Sequence, residues 1–342
     1  MKVSASIYSN KGKTLEDLVK ELDRYKVDFF HIDCNDDESV FEDIVRIRKI
    51  SKTPVDLHII SSAPEKFFKG ISDCKIEMVS FQYENFPVGY SDQNSFLDIS
   101  KELNSRLGLA IVSETDGSVF NKFKNAFEFI LLMTTTPGKS GGTFNKENFK
   151  KIRQFKSLFP GKKIHVDGGV NDEISFVLRN MEVSLVVSGS YLVNSDYIGA
   201  AIHNLRSDNT ESHILIKDFM IDKNESPSLK LGNFSFGDVL RSIEAYNMGF
   251  TMVTDENNKL AGIITNADVR KGLLKNISDM AGLNPETLIN RKPATININC
   301  SVAEMLQKIK SLSFPVLFMP VVDDDNQLAG TITFNNLIKG ES

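Results

Sequence analysis

The stretch Lys163-Ile-His-Val-Asp-Gly-Gly-Val170 is a short β-branched run that ends in an aspartate and two glycines. Such a run predicts a buried β-strand followed by a tight turn. Similar runs recur through the first part of the chain. The strand candidates are Val3–Ile7, Phe29–Cys34, Val55–Ile60, Met78–Gln82, Gly108–Val112, Phe129–Thr134, Lys163–Val166 and Leu185–Val187.

The segments between these strands have helical periodicity, as in Thr14–Tyr25 and Asn145–Phe159. A helix between two strands is the crossover that a parallel sheet requires. Eight β-α units over residues 1–205 predict a fold of the α/β class, the closed (β/α)8 TIM barrel. An open doubly wound sheet is the alternative, but that fold usually has a Gly-rich first turn, and the first turn here is Ser9-Asn-Lys-Gly12.

The last third of the chain contains an approximate internal repeat. The polar run Ser207-Asp-Asn-Thr-Glu-Ser212 predicts a linker over residues 206–212. Beyond it, Leu260-Ala-Gly-Ile-Ile-Thr265 is echoed by Leu328-Ala-Gly-Thr-Ile-Thr333. An amphipathic helix, Ser235–Tyr246 or Ser301–Ser311, and a short strand precede each copy. We predict a smaller α+β module over residues 213–342, built from two β-α-β-β-α units.

Composition excludes several classes of protein. The 342 residues are 41% hydrophobic and 25% charged, as in ordinary globular proteins. No stretch approaches the roughly 20 apolar residues that span a bilayer, and the first residues lack the apolar core of a signal peptide. The isolated cysteines Cys34, Cys74 and Cys300 indicate a reducing compartment. With a net charge of −5, we predict a cytoplasmic protein that binds small molecules, not nucleic acid or membrane.

Metal-binding residue types occur at the ends of three predicted strands. They are His31 and Asp33 on the second strand, His58 on the third and Asp167 on the seventh. A lone strand histidine is more often a core residue, and a lone aspartate is often a helix cap. Because strand side chains alternate with period 2, however, these four can meet at the carboxyl-terminal mouth of a barrel. Imidazole and carboxylate suit Zn²⁺, Fe²⁺, Mn²⁺ or Co²⁺. His165 is in phase with Asp167, and we interpret it as a packing residue or as one that supports the metal ligands from behind.

Glycine-rich loops follow the last three predicted strands. They are Thr136-Pro-Gly-Lys-Ser-Gly-Gly-Thr143, Asp167-Gly-Gly-Val170 and Ser188-Gly-Ser190. One such loop could serve only as a turn, whereas three adjacent ones favour an anion site built from backbone N–H groups. The spacing is not that of a P-loop. We therefore predict a phosphorylated substrate.

These motifs resemble those of the ribulose-phosphate 3-epimerase family, in order, over residues 1–205. The motifs that carry the resemblance are Ser6, His31-x-Asp33, Asp56-x-His58, Met133-Thr-x-x-Pro137-Gly138, Val166-Asp-Gly-Gly-Val170 and Ser188-Gly-Ser190. The resemblance implies one divalent metal ion held by His31, Asp33, His58 and Asp167. Substrate contacts are implied for Ser6, Met133, Gly138, Gly141, Gly142, Gly168, Gly169, Gly189 and Ser190.

The resemblance also implies a reaction. D-Ribulose 5-phosphate would be converted to D-xylulose 5-phosphate through a metal-stabilised enediolate. Asp33 and Asp167 would work on opposite faces of C3, where one removes a proton and the other returns one. An enediolate needs such stabilisation because a proton next to a ketone is too weakly acidic for an ordinary carboxylate to remove.

Three departures from the family pattern leave the substrate open. Asn35-Asp36-Asp37, Ile60 and Ser80-Phe-Gln-Tyr83 stand where the family usually has other residues, including a histidine at position 82. An epimerase for another ketose phosphate, such as a hexulose 6-phosphate, is one alternative, and a non-enzymatic sugar-phosphate or nucleotide sensor is another. Barrel decarboxylases of the orotidine-decarboxylase kind carry Asp-x-Lys, and the absence of that lysine disfavours them.

The C-terminal module resembles a pair of cystathionine-β-synthase (CBS) domains. Gly262-Ile-Ile-Thr265-Asn-Ala-Asp268 matches the motif that contacts a ribose in members that bind adenosine compounds. In the second copy, Asn336 replaces the aspartate. The resemblance implies an adenine nucleotide or sugar nucleotide effector near Thr265, Asp268 and Thr333. The alternative is that the pair only joins subunits, and we expect a homo-oligomer.

Overall fold

The computed structural model describes residues 1–87, 96, 102–137, 141–207, 214–277, 283–314 and 316–334. The chain forms two compact units, which divide between Thr210 and Glu211. The first unit is a closed barrel of eight parallel strands in sequence order, in which β8 pairs with β1. The predicted TIM barrel is therefore confirmed. Its strands are β1 (Lys2–Ser6), β2 (Phe29–Cys34), β3 (Val55–Ile59), β4 (Met78–Gln82), β5 (Arg106–Val112), β6 (Phe129–Met133), β7 (Lys163–Asp167) and β8 (Leu185–Ser188).

Helices cover the outside of the barrel. They are α1 (Leu15–Arg24), α2 (Val40–Ile50), α3 (Phe68–Asp73), α4 (Glu147–Leu158), α5 (Asp172–Asn180), α6 (Ser190–Val193) and α7 (Ile198–Arg206). In α1, Thr14 caps the N-terminus by accepting a hydrogen bond from the Asp17 N–H, and Leu18 and Leu22 are buried. Short 3₁₀ turns occur at Ile7–Ser9, Pro64–Phe67, Tyr83–Asn85 and Gly117–Lys122.

An apolar layer fills the amino-terminal part of the barrel interior. Phe29, Met78, Phe129 and Leu185 are buried there, each at the start of its strand. Gly108 makes room for this layer, since a Cβ at this position would lie 2.1 Å from the Phe129 ring. The layer fills the amino-terminal end of the barrel. Polar side chains that point into the barrel therefore lie nearer its carboxyl-terminal mouth.

Strand register decides which polar side chains become neighbours. The pairing of β2 with β3 places His31 beside Asp56 and Asp33 beside His58. The pairing of β6 with β7 places Met133 beside Asp167. Register in a parallel barrel thus brings together residues that are more than 20 positions apart in sequence.

The second unit contains the predicted repeat. Its strands are β9 (Ile221–Asp222), β10 (Ser228–Lys230), β11 (Phe250–Thr254), β12 (Leu260–Thr265), β13 (Ile296–Asn297), β14 (Phe318–Val322) and β15 (Leu328–Thr333). Its helices are α8 (Ile216–Phe219), α9 (Phe236–Tyr246), α10 (Asn266–Lys275) and α11 (Val302–Ser311). One sheet has the order β10-β11-β12 and the other β13-β14-β15-β9.

The two copies share strand pairing in detail. β11 pairs antiparallel with β12, and β14 pairs antiparallel with β15, each with an irregularity near the end of its first strand. Phe250 stacks on Phe318 with ring centroids 4.0 Å apart, so equivalent residues of the copies meet. The segment after Phe334, which contains Asn336, lies outside the described residues. Over the part of the chain that is described, no helix is long and apolar enough to cross a membrane.

Candidate metal centre and substrate pocket

Four side chains converge at the carboxyl-terminal mouth of the barrel. His31 and Asp33 extend from β2, His58 from β3 and Asp167 from β7, and each offers one atom within 4.8 Å of the others. Both histidines are fully buried. The Asp33 and Asp167 side chains keep 17% and 15% of their surface exposed. The two carboxylates are therefore the members of the cluster that solvent or a substrate can reach.

A hydrogen bond holds His31 in one orientation. Its Nδ1 lies 2.9 Å from Asp56 Oδ2, which also accepts a hydrogen bond from Ser4 Oγ at 3.0 Å. Because a carboxylate only accepts, Nδ1 must carry the proton. The other ring nitrogen, Nε2, is buried without a hydrogen-bond partner among the described residues. It lies 3.4 Å from Asp33 Oδ1 and 3.6 Å from Asp167 Oδ2.

The cluster fits a divalent metal ion. An unpartnered buried nitrogen is costly in a folded protein unless something binds it. Here it faces two carboxylate oxygens, a combination of ligands that zinc, iron, manganese and cobalt accept. Cys34 does not contribute a thiolate, because its Sγ is directed to the backbone oxygen of Asp37. The residues therefore suit a metal with nitrogen and oxygen ligands.

Electrostatics also indicates a site that needs positive charge. Burial favours the neutral form of Asp33, yet hydrogen bonds and charge from His31 and His58 outweigh it and hold the pKa of Asp33 well below its usual range. Burial raises the pKa of Asp167 to about 6. Burial disfavours the charged form of His31, but Asp56 and Asp33 outweigh it and raise the His31 pKa. A proton on His31 thus supplies the charge that a bound cation would supply instead.

A cavity of about 390 Å³ opens beside the cluster. Its lining includes Asp33, Asp167 and eight further residues that the sequence assigns to the substrate: Ser6, Met133, Gly141, Gly142, Gly168, Gly169, Gly189 and Ser190. The remaining lining residues are Thr135, Thr143, Val170, Asn171 and Tyr191, to which the sequence assigned no substrate contact. Gly138 lies outside the described residues.

The glycines after β7 bring backbone close to the cavity. Gly168 and Gly169 have φ angles of +112° and +62°, which favour glycine. A Cβ at Gly169 would lie 2.2 Å from the Phe144 backbone nitrogen, so no larger residue fits without movement. Gly189 precedes α6, and the first N–H groups of a helix have no partner within it. The loops can therefore present N–H groups to an anion.

Comparison with known proteins gives the family. Residues 2–193 match the ribulose-phosphate 3 epimerase family, and residues 232–275 and 286–341 match the CBS domain. The chain belongs to the ribulose-phosphate 3-epimerase family. Its C-terminal part is a pair of CBS domains, and both family predictions are confirmed.

Named members of this family are similar to the chain in sequence. The ribulose-phosphate 3-epimerase of Methanocaldococcus jannaschii is 27% identical over 234 residues, which are 64% of this chain and 95% of that protein. The ribulose-phosphate 3-epimerase of Bacillus subtilis is 25% identical over 217 residues, 60% of this chain and 98% of that protein. The chain is accordingly an epimerase of the isomerase class that acts on carbohydrates.

Solved structures resemble the second unit. A crystal structure of CBSX2 in complex with AMP is 23% identical and covers 36% of this chain and 93% of that one, with a TM-score of 0.31.

The CBS motif residues have local structural roles in this chain. Thr265 caps α10 by accepting a hydrogen bond from the Asp268 N–H, and Asp268 Oδ2 accepts hydrogen bonds from the Thr265 N–H and Oγ. This reciprocal pair is a capping box. Ser235 and Asp238 form the same arrangement at the start of α9. Thr333 ends β15.

The remaining histidine of the barrel interior packs as the sequence predicts. The His165 ring stacks on Phe129 with centroids 4.1 Å apart, and burial lowers the His165 pKa to about 3. Of the departures from the family pattern, neither positions 35–37 nor Ile60 line the cavity. Gln82 does not line it either, but it contacts His58. Asp56 and Gln82 are therefore residues of the site that stand in the motifs but to which the sequence assigned no role.

The buried hydrogen bond between Asp56 and His31 should contribute to the stability of the barrel. Replacing Asp56 with Ala leaves the buried His31 without its partner, so the free energy of unfolding should fall by about 3–5 kcal/mol. Ser4→Ala removes only one hydrogen bond to the same oxygen and should cost about 1 kcal/mol. Urea unfolding followed by circular dichroism measures both. Equal losses of unfolding free energy in the two variants would show that the His31–Asp56 contact is not the main contribution of Asp56 to stability.

Proposed function

We propose that this protein inverts C3 of D-ribulose 5-phosphate to give D-xylulose 5-phosphate, with one divalent metal ion held by His31, Asp33, His58 and Asp167. The observation that carries the proposal is the convergence of these four side chains beside a cavity lined by glycine loops. The names of the relatives support the substrate. When bound, the metal would stabilise the negative charge that develops on the substrate oxygens.

Asp33 and Asp167 are the groups we assign to proton transfer. Both side chains line the cavity and are partly exposed to it, whereas both histidines are buried behind them. Inversion needs two groups, because the proton must leave from one face of C3 and return to the other. One carboxylate removes the proton, and the other acid delivers one from the far side.

Backbone N–H groups are the proposed ligands of the substrate phosphate. Gly168 and Gly169 follow β7, Gly189 precedes α6 and Ser190 begins it, and Gly141 and Gly142 border the same cavity. We assign Ser6 and Met133, which also line the cavity, to contacts with the sugar. Gly138 keeps its sequence assignment to the phosphate loop. Neutral N–H groups bind a dianion without adding a charged side chain next to the proton-transferring carboxylates.

Proton exchange tests the assigned acid–base pair. In D₂O with ribulose 5-phosphate, the enzyme should exchange the C3 hydrogen for deuterium, and Asp33→Asn and Asp167→Asn should each slow this by at least about 10²-fold. The NMR signal of the C3 proton measures the exchange. Asp73→Asn, on the exposed end of α3, is the matched control and should exchange at the wild-type rate. Wild-type exchange in Asp167→Asn would refute the assignment.

We further propose that the CBS pair binds an adenine nucleotide or sugar nucleotide and regulates the barrel. Thr265, Asp268 and Thr333 are the assigned ribose contacts. Thr265 and Asp268 already position each other through the capping box, so the site would be organised before a ligand binds.

Two capping boxes allow a matched test of nucleotide binding. AMP should bind the full chain in a calorimetric titration, and Asp268→Ala should weaken binding about tenfold or more. Asp238→Ala removes the equivalent capping box at α9, outside the motif, and should cost similar helix stability, about 1 kcal/mol, with no loss of AMP affinity. Equal effects of the two variants would mean that Asp268 acts only as a helix cap.

A further inference from the structure

Gln82 stands at the carboxyl end of β4, beside His58 of the proposed metal centre. Its side chain is 1% exposed, and its Oε1 lies 2.8 Å from Nε2 of His58. The opposite ring nitrogen of His58, Nδ1, lies 3.1 Å from Asp33 Oδ1. The imidazole of His58 is therefore held between a side-chain amide on one side and the cluster on the other.

Glu84 decides which end of the Gln82 amide faces His58. Gln82 Nε2 donates a hydrogen bond to Glu84 Oε2. The second Glu84 oxygen accepts hydrogen bonds from the Val112 N–H, at 3.1 Å, and from the Thr115 hydroxyl. A carboxylate only accepts, so the NH₂ group of Gln82 must face Glu84 and its carbonyl oxygen must face His58.

The proton on His58 follows from this orientation. An amide oxygen only accepts, so Nε2 of His58 must be the donor and carry the proton. The opposite nitrogen, Nδ1, faces the Asp33 carboxylate, and when Nδ1 carries no proton its lone pair is free to bind a cation. Asp56 does the same for His31 from the opposite ring nitrogen, with a carboxylate in place of an amide.

We propose that Gln82 is a positioning residue: it holds His58 with the proton on Nε2, so that the Nδ1 lone pair is available to the metal. This inference rests on the proposed function. A neutral amide does this without adding a further negative charge to a site where Asp33, Asp167 and the neighbouring Asp56 already carry carboxylates. Outer partners of this kind typically change metal affinity 10–100-fold.

The test uses the full chain and Gln82→Met, which keeps the side-chain length but removes the acceptor. In metal-free protein labelled with ¹⁵N-histidine, wild type should show a hydrogen-bonded Nε2–H of His58 that exchanges slowly with water, and Gln82→Met should lose it. Calorimetric titration with Zn²⁺ and Mn²⁺ should then show an affinity about 10–100-fold weaker than that of wild type.

Two further variants separate this role from a general disturbance of β4. Ser80→Ala alters a buried residue of the same strand and should leave both readouts unchanged. The exchange Gln82→Glu with Glu84→Gln keeps an acceptor facing His58 and a donor behind it, so it should retain the Nε2–H signal and most of the metal affinity.

The outcomes distinguish the two proposals. Wild-type protein that binds neither metal would overturn the proposed metal-dependent function. Wild type that binds metal, together with Gln82→Met that keeps both the Nε2–H signal and the affinity, would overturn the role of Gln82 alone. Loss in Ser80→Ala equal to that in Gln82→Met would overturn it as well, since any change in β4 would then suffice.

Discussion

The barrel site depends on one electrostatic constraint: hydrogen-bond acceptors converge in a buried place where only a cation or protons can satisfy them. His31 Nε2 has no hydrogen-bond partner among the described residues, and it faces oxygens of Asp33 and Asp167. His58 Nδ1 lies within hydrogen-bond distance of Asp33 Oδ1, at 3.1 Å. The low dielectric of the interior makes such a cluster costly when empty and a strong cation site when filled. The packing of the rest of the barrel must offset the energetic cost of assembling this cluster.

Apolar packing and strand register in the barrel provide this stabilisation. The apolar layer that includes Phe29 and Phe129 fills the interior below the site, and parallel register sets side chains from neighbouring strands at the same height. Hydrogen bonds orient the two histidines: His31 bonds to Asp56, and His58 bonds to Gln82. The carboxylates of Asp33 and Asp167 line the cavity. The strands thus hold the candidate ligand side chains, whereas the glycine loops border the cavity.

Sequence patterns predicted the barrel and the convergence of its side chains because both depend on local periodicity. The β-branched runs predicted eight strands that occur in the structure, and the period of 2 placed His31 and Asp33 on one face. The sequence did not predict the roles of Asp56 and Gln82, because these roles depend on the register between strands. Asp56 stands beside His31, 25 positions away, and spacing within one motif does not reveal such a neighbour. The sequence also does not distinguish the capping box at Thr265, since a Thr-x-x-Asp motif is compatible with a helix cap or a ribose contact.

Anomalous X-ray diffraction from crystals loaded with Co²⁺ or Zn²⁺ tests the central claim most directly. We predict one strong peak at the barrel mouth, from an ion bonded to His31 Nε2, His58 Nδ1 and carboxylate oxygens of Asp33 and Asp167. Crystals soaked in excess metal that show no peak among these four side chains would contradict it.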